Sequence, residues 1–365
     1  MFKYLLYCRQ GYEADLACEI EYKLAQLNGY GFARFGRQTG FIEFSQQNKG
    51  RFPAYENLIF ARQKLLIQQE LSFDGASDRI SVICEALADS KQKLFGDVLV
   101  EYADTEDGKQ IARFCKKFVV PLRVTLRKNK VLSQSRDESL PFLHLFFEHS
   151  GQAVLCVSDP EDRNNDFMGI MRLKFPHEAP SRSTLKLEEA IKHFFTPDQQ
   201  SQLFSAGMTA VDLGACPGGW TYQLVKRGIK VEAIDNGMID QALMDSGLVE
   251  HYQVDGFKYQ PKEGHVDWLV CDMIEKPDKV AQLMGDWLEK RKATGAIFNL
   301  KLPMKKRFDT VQEQLIALKA RLVRIASVYI GCKHLYHDRD EVTCVIILNP
   351  SLFQLEETQN LHFIE

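Results

Sequence analysis

Lys301 ends the apolar run from Ala296 to Leu300, and Asp272 ends another from Trp268 to Cys271. A lysine that closes a buried strand is costly unless it is paired or used, and a carboxylate at a neighbouring strand end could receive it. An amine held in that way can orient a hydroxyl or take its proton. Two more acids stand at similar points. Asp235 closes Val231 to Ile234 about 20 residues beyond a glycine turn, the usual place for a carboxylate that accepts hydrogen bonds from ribose hydroxyls. Asp255 follows in the next connection, where it could reach an adenine amino group. Singly, each acid reads as a turn or cap residue; together at strand ends they read as a site.

The turn runs VDLGACPGGW, Val211 to Trp220, and carries Gly214, Gly218 and Gly219 between an apolar strand and a helix. Glycines let backbone approach a ligand closely, and Pro217 suits a first helical turn. The dinucleotide fingerprint G-x-G-x-x-G is absent, so a diphosphate is disfavoured and a phosphate-free ligand such as S-adenosylmethionine fits better. An ordinary glycine-rich strand-to-helix turn is the rival reading.

These residues need a parallel sheet to bring them together. Strands expected at Ala210 to Leu213, Val231 to Ile234, Trp268 to Cys271 and Ala296 to Leu300 alternate with helical stretches at Tyr222 to Arg227, Val280 to Lys290 and Val311 to Leu322. The last two, Ala326 to Ile330 and Val342 to Leu348, read as an antiparallel hairpin at the sheet edge. The first half reads as α+β with more than one small sheet. Its strands are expected at Lys3 to Cys8, Gly31 to Phe35, Gly40 to Phe44, Leu58 to Leu71, Val98 to Tyr102, Phe142 to Glu148 and Ala153 to Val157, with helices at Glu13 to Leu27, Arg79 to Leu87 and Lys109 to Phe118. Asp159 to Ser183, rich in Pro, Asp, Asn, Arg and Ser, reads as the connection between domains.

The 365 residues allow about two domains. A net charge of −3 makes any nucleic-acid contact a matter of local basic patches. Nine cysteines without a C-x-x-C pair argue against a disulfide framework or a zinc ribbon, so no metal is expected. No run approaches the roughly 18 apolar residues of a spanning helix, and a soluble cytoplasmic protein is expected.

Lys186 lies in a helix start with Ser183 and Thr184 as capping hydroxyls, and Glu341 lies where the hairpin's second strand begins. Taken alone, both pass as exposed charges. The runs SRSTLKLEE (Ser181 to Glu189), DLGACPGGW, VCDM (Val270 to Met273), FNLKLPMKKR (Phe298 to Arg307) and RDEVT (Arg339 to Thr343) together resemble the ribosomal RNA large subunit methyltransferase M family. That family is similar to the FtsJ-type ribose 2′-O-methyltransferases. The resemblance implies an α/β fold, with a Rossmann-like catalytic domain at 184–365 that binds S-adenosyl-L-methionine. Ahead of it would stand a ferredoxin-like segment at 1–54, a THUMP-type RNA-binding domain at 55–160 and a linker at 161–183. Cofactor contacts are implied at Ser183, Cys216, Pro217, Gly218, Gly219, Asp235, Asp255 and Asp272. A catalytic tetrad is implied at Lys186, Asp272, Lys301 and Glu341, with Lys301 as proton acceptor. The implied partner is 23S ribosomal RNA or a large-subunit precursor, methylated at a cytidine ribose by a monomeric enzyme.

Lys301 acts in one of two ways. It is a general base, which demands a neutral amine, or a charged group that orients the hydroxyl and stabilises developing negative charge. Burial and Lys186 push its pKa down, and Asp272 and Glu341 push it up. The basic run Arg113, Lys116, Lys117, Arg123, Arg127, Lys128 and Lys130, with Phe114 and Phe118 nearby, is expected to grip phosphates. Rival readings fare worse. Amino-methylating enzymes carry Pro-Pro and an aromatic where this chain has Met273, Ile274 and Glu275. Cytosine-C5 enzymes need an attacking cysteine, and Cys271 and Cys216 are badly placed for that. A nicotinamide oxidoreductase lacks its fingerprint, and a non-catalytic RNA-binding protein would have no use for Lys301 beside Asp272.

Overall fold

The computed structural model describes residues 2–48, 50–73, 78–88, 92 and 94–355. The chain divides into two compact units, Met1–Met171 and Arg172–Glu365.

The first unit contains β1 (Phe2–Tyr7), α1 (Glu13–Gln26), β2 (Gly31–Arg34), β3 (Phe41–Gln46), β4 (Gln63–Ser72), α2 (Arg79–Ala88), β5 (Asp97–Tyr102), α3 (Glu106–Lys128), β6 (Phe142–His149) and β7 (Gln152–Ser158). Its strands form one seven-stranded sheet in the order β2-β3-β1-β4-β7-β6-β5, not the several small sheets expected from sequence. The cause is the ten-residue β4. Gln63 to Leu66 pairs with β1, while Leu66 to Ser72 pairs with β7, so one strand splices two groups that sequence spacing leaves separate. Residues 58–62, expected as the start of that strand, are buried but form a turn and loop.

One polar cluster sits inside this sheet. Glu101 on β5 is fully buried and accepts from the Tyr7 hydroxyl (2.9 Å) and the Met168 N–H (2.6 Å). His144 pairs with it through Nδ1 at 2.8 Å and with the Ser158 hydroxyl through Nε2 at 2.8 Å. The cluster therefore fastens the segment after β7 onto the sheet by a satisfied buried network.

The second unit contains α4 (Thr184–Phe194), α5 (Pro197–Leu203), β8 (Thr209–Leu213), α6 (Gly219–Val225), β9 (Lys230–Ile234), α7 (Gln241–Asp245), β10 (Val249–Tyr252), β11 (Val266–Cys271), α8 (Pro277–Glu289), β12 (Ala293–Lys301), α9 (Arg307–Leu322), β13 (Val328–Lys333) and β14 (Glu341–Leu348). The sheet order is β10-β9-β8-β11-β12-β14-β13, parallel except for β14, which runs antiparallel to both β12 and β13. The expected hairpin exists, but β14 lies inside the sheet and β13 forms the edge. Every residue of β14 is buried, as a strand flanked on both sides requires. The core is a continuous apolar cluster that includes Trp220, Trp268, Ile297 and Val345. Among the described residues, no helix is long and apolar enough to cross a membrane.

Candidate active site

Parallel strands deliver their last residues to one end of the sheet, and the four charged groups meet there. Asp272 directly follows β11, Lys301 is the last residue of β12, and Glu341 is the first of β14. Because β12 and β14 are antiparallel, Lys301 and Glu341 are register partners. Lys186 enters from the first turn of α4. Its Nζ lies 2.9 Å from Asp272 Oδ2 and 2.6 Å from Glu341 Oε1. Lys301 Nζ lies 3.0 Å from Asp272 Oδ1 and also pairs with Glu341. The structure thus brings together two ammonium groups and two carboxylates whose charges sum to zero. Lys301 is the most open of them, 23% exposed against 14% for Lys186 and Asp272 and 6% for Glu341. Burial pushes the Lys301 amine down, but Asp272 and Glu341 outweigh it and the net direction is up.

A second layer, absent from the sequence reading, fixes Asp272. Asn299 shares the face of β12 with Lys301, two residues away, and donates to Asp272 Oδ1 at 3.0 Å. The Thr343 hydroxyl lies 2.9 Å from Asn299 Oδ1 and 3.0 Å from both oxygens of Asp338. One hydroxyl proton cannot serve both partners. Burial, then Glu341 and Glu189, raise the Asp338 carboxyl well above its usual range. With its carboxyl held toward the protonated form, Asp338 can donate to Thr343, which can then donate to the Asn299 carbonyl and complete a chain of donors to Asp272. A polar Asn in the middle of an apolar strand was the available signal for this layer. Glu189 on α4 supports the loop ahead of β14, accepting from the backbone N–H of Tyr336 (2.9 Å) and His337 (2.8 Å).

The glycine turn packs beside these groups. Gly214 and Gly218 take positive φ, +79° and +115°, which side chains rarely adopt. A Cβ on Gly219 would lie 2.1 Å from Ser183 Oγ and 2.4 Å from Ser181 Oγ. Ser183 does not cap α4 as expected; its hydroxyl pairs with Ser181 at 2.6 Å, and Thr184 is buried and accepts from Gln223 instead. Cys216 and Pro217 are exposed at the tip of the turn. Asp235 accepts the Cys216 N–H (3.0 Å) and the Gly237 N–H (2.8 Å), one on each oxygen, and each oxygen keeps a free acceptor site. Asp255 stands in an exposed loop after β10, accepting the Phe257 N–H at 2.9 Å.

This chemistry suits S-adenosylmethionine. Carboxylates at Asp235, Asp255 and Asp272 repel a diphosphate but accept ribose hydroxyls, an amino group and a sulfonium. Exposed Met238, Val254 and Phe257 supply apolar surface nearby. Thiol chemistry is disfavoured: Cys271 is fully buried and pushed up to about 12, chiefly by burial, and Cys216 is also raised, by burial and then Asp235.

A mostly parallel seven-stranded sheet with one antiparallel strand inserted before its edge, holding this cluster beyond its strand ends, defines an S-adenosylmethionine-dependent methyltransferase. Family models agree, matching a ferredoxin-like domain of the large subunit methyltransferase M type over residues 1–65, the N-terminal region of ribosomal RNA large subunit methyltransferase M over 78–159, and an FtsJ-like methyltransferase over 179–326. Proteins named ribosomal RNA large subunit methyltransferase M are 47% identical in Alteromonas mediterranea, covering 94% of this chain and 96% of theirs, and 46% identical in Aliivibrio fischeri, covering 93% and 97%. The chain belongs to the ribosomal RNA large subunit methyltransferase M family. Among solved structures, TrmN from Thermus thermophilus aligns over 95% of this chain and 100% of its own at 14% identity, with a TM-score of 0.35.

Proposed function

We propose that this enzyme methylates the 2′-oxygen of a cytidine ribose in 23S ribosomal RNA or a large-subunit precursor, with Lys301 as the proton acceptor. It acts in the cytoplasm as a monomer, and residues 55–160 serve as its THUMP-type RNA-binding domain. The observation that carries the reading is the convergence of Lys186, Asp272, Lys301 and Glu341 on one point beside the glycine turn. Ser183, the turn from Cys216 to Gly219, Asp235, Asp255 and Asp272 would hold S-adenosylmethionine. Bound there, it supplies an electrophilic methyl whose departing thioether is neutral, so no acid is needed.

The chain's own task is to activate a poor nucleophile. Lys301, the most open member of the cluster, takes the hydroxyl proton in its neutral form. Asp272 and Glu341 aim its amine, and Lys186 pairs with the same two carboxylates. Asn299, Thr343 and Asp338 keep Asp272 from turning away. Exposed Ile274 and Met304 follow Asp272 and Lys301 at the mouth, beside exposed Lys305 and Lys306, a surface that suits a nucleotide and its phosphates. Lys301→Ala should lower tritium-methyl transfer about 100- to 10,000-fold while calorimetry still detects S-adenosylmethionine binding. Turnover near wild type would remove Lys301 from this role.

A further inference from the structure

The first unit carries a groove of its own. It lies between α3 and the open edge of β5, the terminal strand of the sheet, and has a volume of about 430 Å³. Val98 and Val100 from the strand and Ala112 and Val119 from the helix make an apolar floor. Arg123 closes one end, donating to Asp97 Oδ1 (2.9 Å) and to the Val98 carbonyl (3.0 Å). Tyr102 and Phe167, packed edge to face at 6.2 Å, mark the other. Val98 to Tyr102 spans about 13 Å at strand rise. The lining contains no acidic side chain. Arg113 and Lys116 stand exposed on the rim one helical turn apart, with no ion pair among the described residues. The Cys115 thiol in the floor is buried and pushed up to about 12 by that burial, so the groove offers no thiolate.

We propose that this groove takes one unpaired nucleobase of an RNA strand, with the flanking phosphates on Arg113 and Lys116. An apolar slot ending in aromatic rings and rimmed by unpaired cations matches a base and its backbone. A peptide adding to the β5 edge fits less well, because Arg123 already occupies the Val98 carbonyl that such a strand would use. The inference rests on the RNA substrate proposed above, but not on which ribose is methylated. It also relocates the expected contacts. Phe114 and Phe118 pack on Phe147 in the core, and Arg123 and Arg127 are spent on Asp97, Val98 and Ser133.

The test uses the full chain, with fluorescence anisotropy on a single-stranded RNA decamer and on a ten-base-pair RNA duplex. Filling the groove with Ala112→Trp should weaken single-strand binding about tenfold, the scale of one lost stacking contact, and leave duplex binding within about twofold. The double variant Arg113→Gln and Lys116→Gln, at exposed positions that spare the packing, should flatten the log–log salt dependence of single-strand binding by about 1.4. Unchanged single-strand affinity in Ala112→Trp, or an unchanged salt slope in the charge variant, overturns the groove. Equal losses on strand and duplex overturn it too, since a base slot cannot read paired bases. So does displacement of the decamer by an oligoglutamate peptide in wild type but not in Ala112→Trp, which would assign the groove to a protein. If wild type binds S-adenosylmethionine but neither RNA, the substrate reading itself has failed. If it methylates RNA and Ala112→Trp retains full affinity, only the groove has.

Discussion

The pH dependence of methyl transfer tests the role of Lys301 directly. Its amine is raised from 10.5, because Asp272 and Glu341 together outweigh burial. At pH 7.5, therefore, fewer than about one amine in a thousand is neutral in the free enzyme. Only that fraction can accept a proton. With both substrates kept dilute, so that kcat/KM reports the free enzyme, activity should rise about tenfold per pH unit from about pH 6.5 to 9. Asp272 is the largest of the influences that hold the amine up. Asp272→Asn removes it, so the variant's profile, whatever its absolute rate, should bend over at lower pH than wild type. The assay is initial-rate transfer of a tritiated methyl to a ribosomal RNA transcript at constant ionic strength. A wild-type profile flat over this range would refute the base role and leave Lys301 as a fixed charge. In that case Lys301→Arg, which keeps the charge but cannot lose a proton, would retain activity.

Gly219→Ala places a methyl 2.1 Å from Ser183 Oγ and 2.4 Å from Ser181 Oγ, and should weaken S-adenosylmethionine binding at least about tenfold by calorimetry through a shift of roughly an ångström in the cradle. Unaltered affinity would mean that the turn does not shape the cofactor site. Asp212 is almost fully buried, has one unpartnered oxygen and is raised to about 7, chiefly by burial. A carboxyl raised on folding stabilises below its unfolded value of 3.8 and loses that contribution as pH climbs through 7, up to about 4 kcal/mol. Urea midpoints of wild type should therefore fall relative to those of Asp212→Asn between about pH 4 and 7, and parallel curves would contradict the shift. Glu101→Ala removes the acceptor that the Tyr7 hydroxyl, the Met168 N–H and His144 Nδ1 share in the first unit, and should cost about 3 kcal/mol or more in urea unfolding. A cost under about 1 kcal/mol would show that the cluster is not what fastens the segment around Met168.

Much of the catalytic unit was legible because strand ends and turns carry strong local signals. The positions of Asp235, Asp272 and Lys301 followed from apolar runs ending in a polar residue. What could not be read were facts of pairing between distant segments. β10, Val249–Tyr252, has one strongly apolar residue in four and shows no alternation. Insertion of β14 between β12 and β13 is a choice of partner, although its unbroken apolar run from Cys344 to Leu348 was a clue to burial on both faces. By residue type and spacing Lys186 and Glu341 could not be told from surface charges; only the motif resemblance singled them out, and the register that opposes Glu341 to Lys301 is a fact of pairing. In the first unit, α3 extends ten residues past the expected end, through Pro121, because the apolar stripe continuing to Leu122 and Leu126 buries against the sheet.

The spliced strand β4 has a bearing on how such a chain can be inherited. The boundary of the 1–65 family match falls within Gln63–Ser72, so the two N-terminal modules share hydrogen bonds across their own border. Shuffling either one into another lineage would tear open a ladder and leave a raw flank on β1 or β7, inviting promiscuous pairing. Exchange by recombination is cheaper where no ladder crosses, and this pair should travel between genomes as one piece.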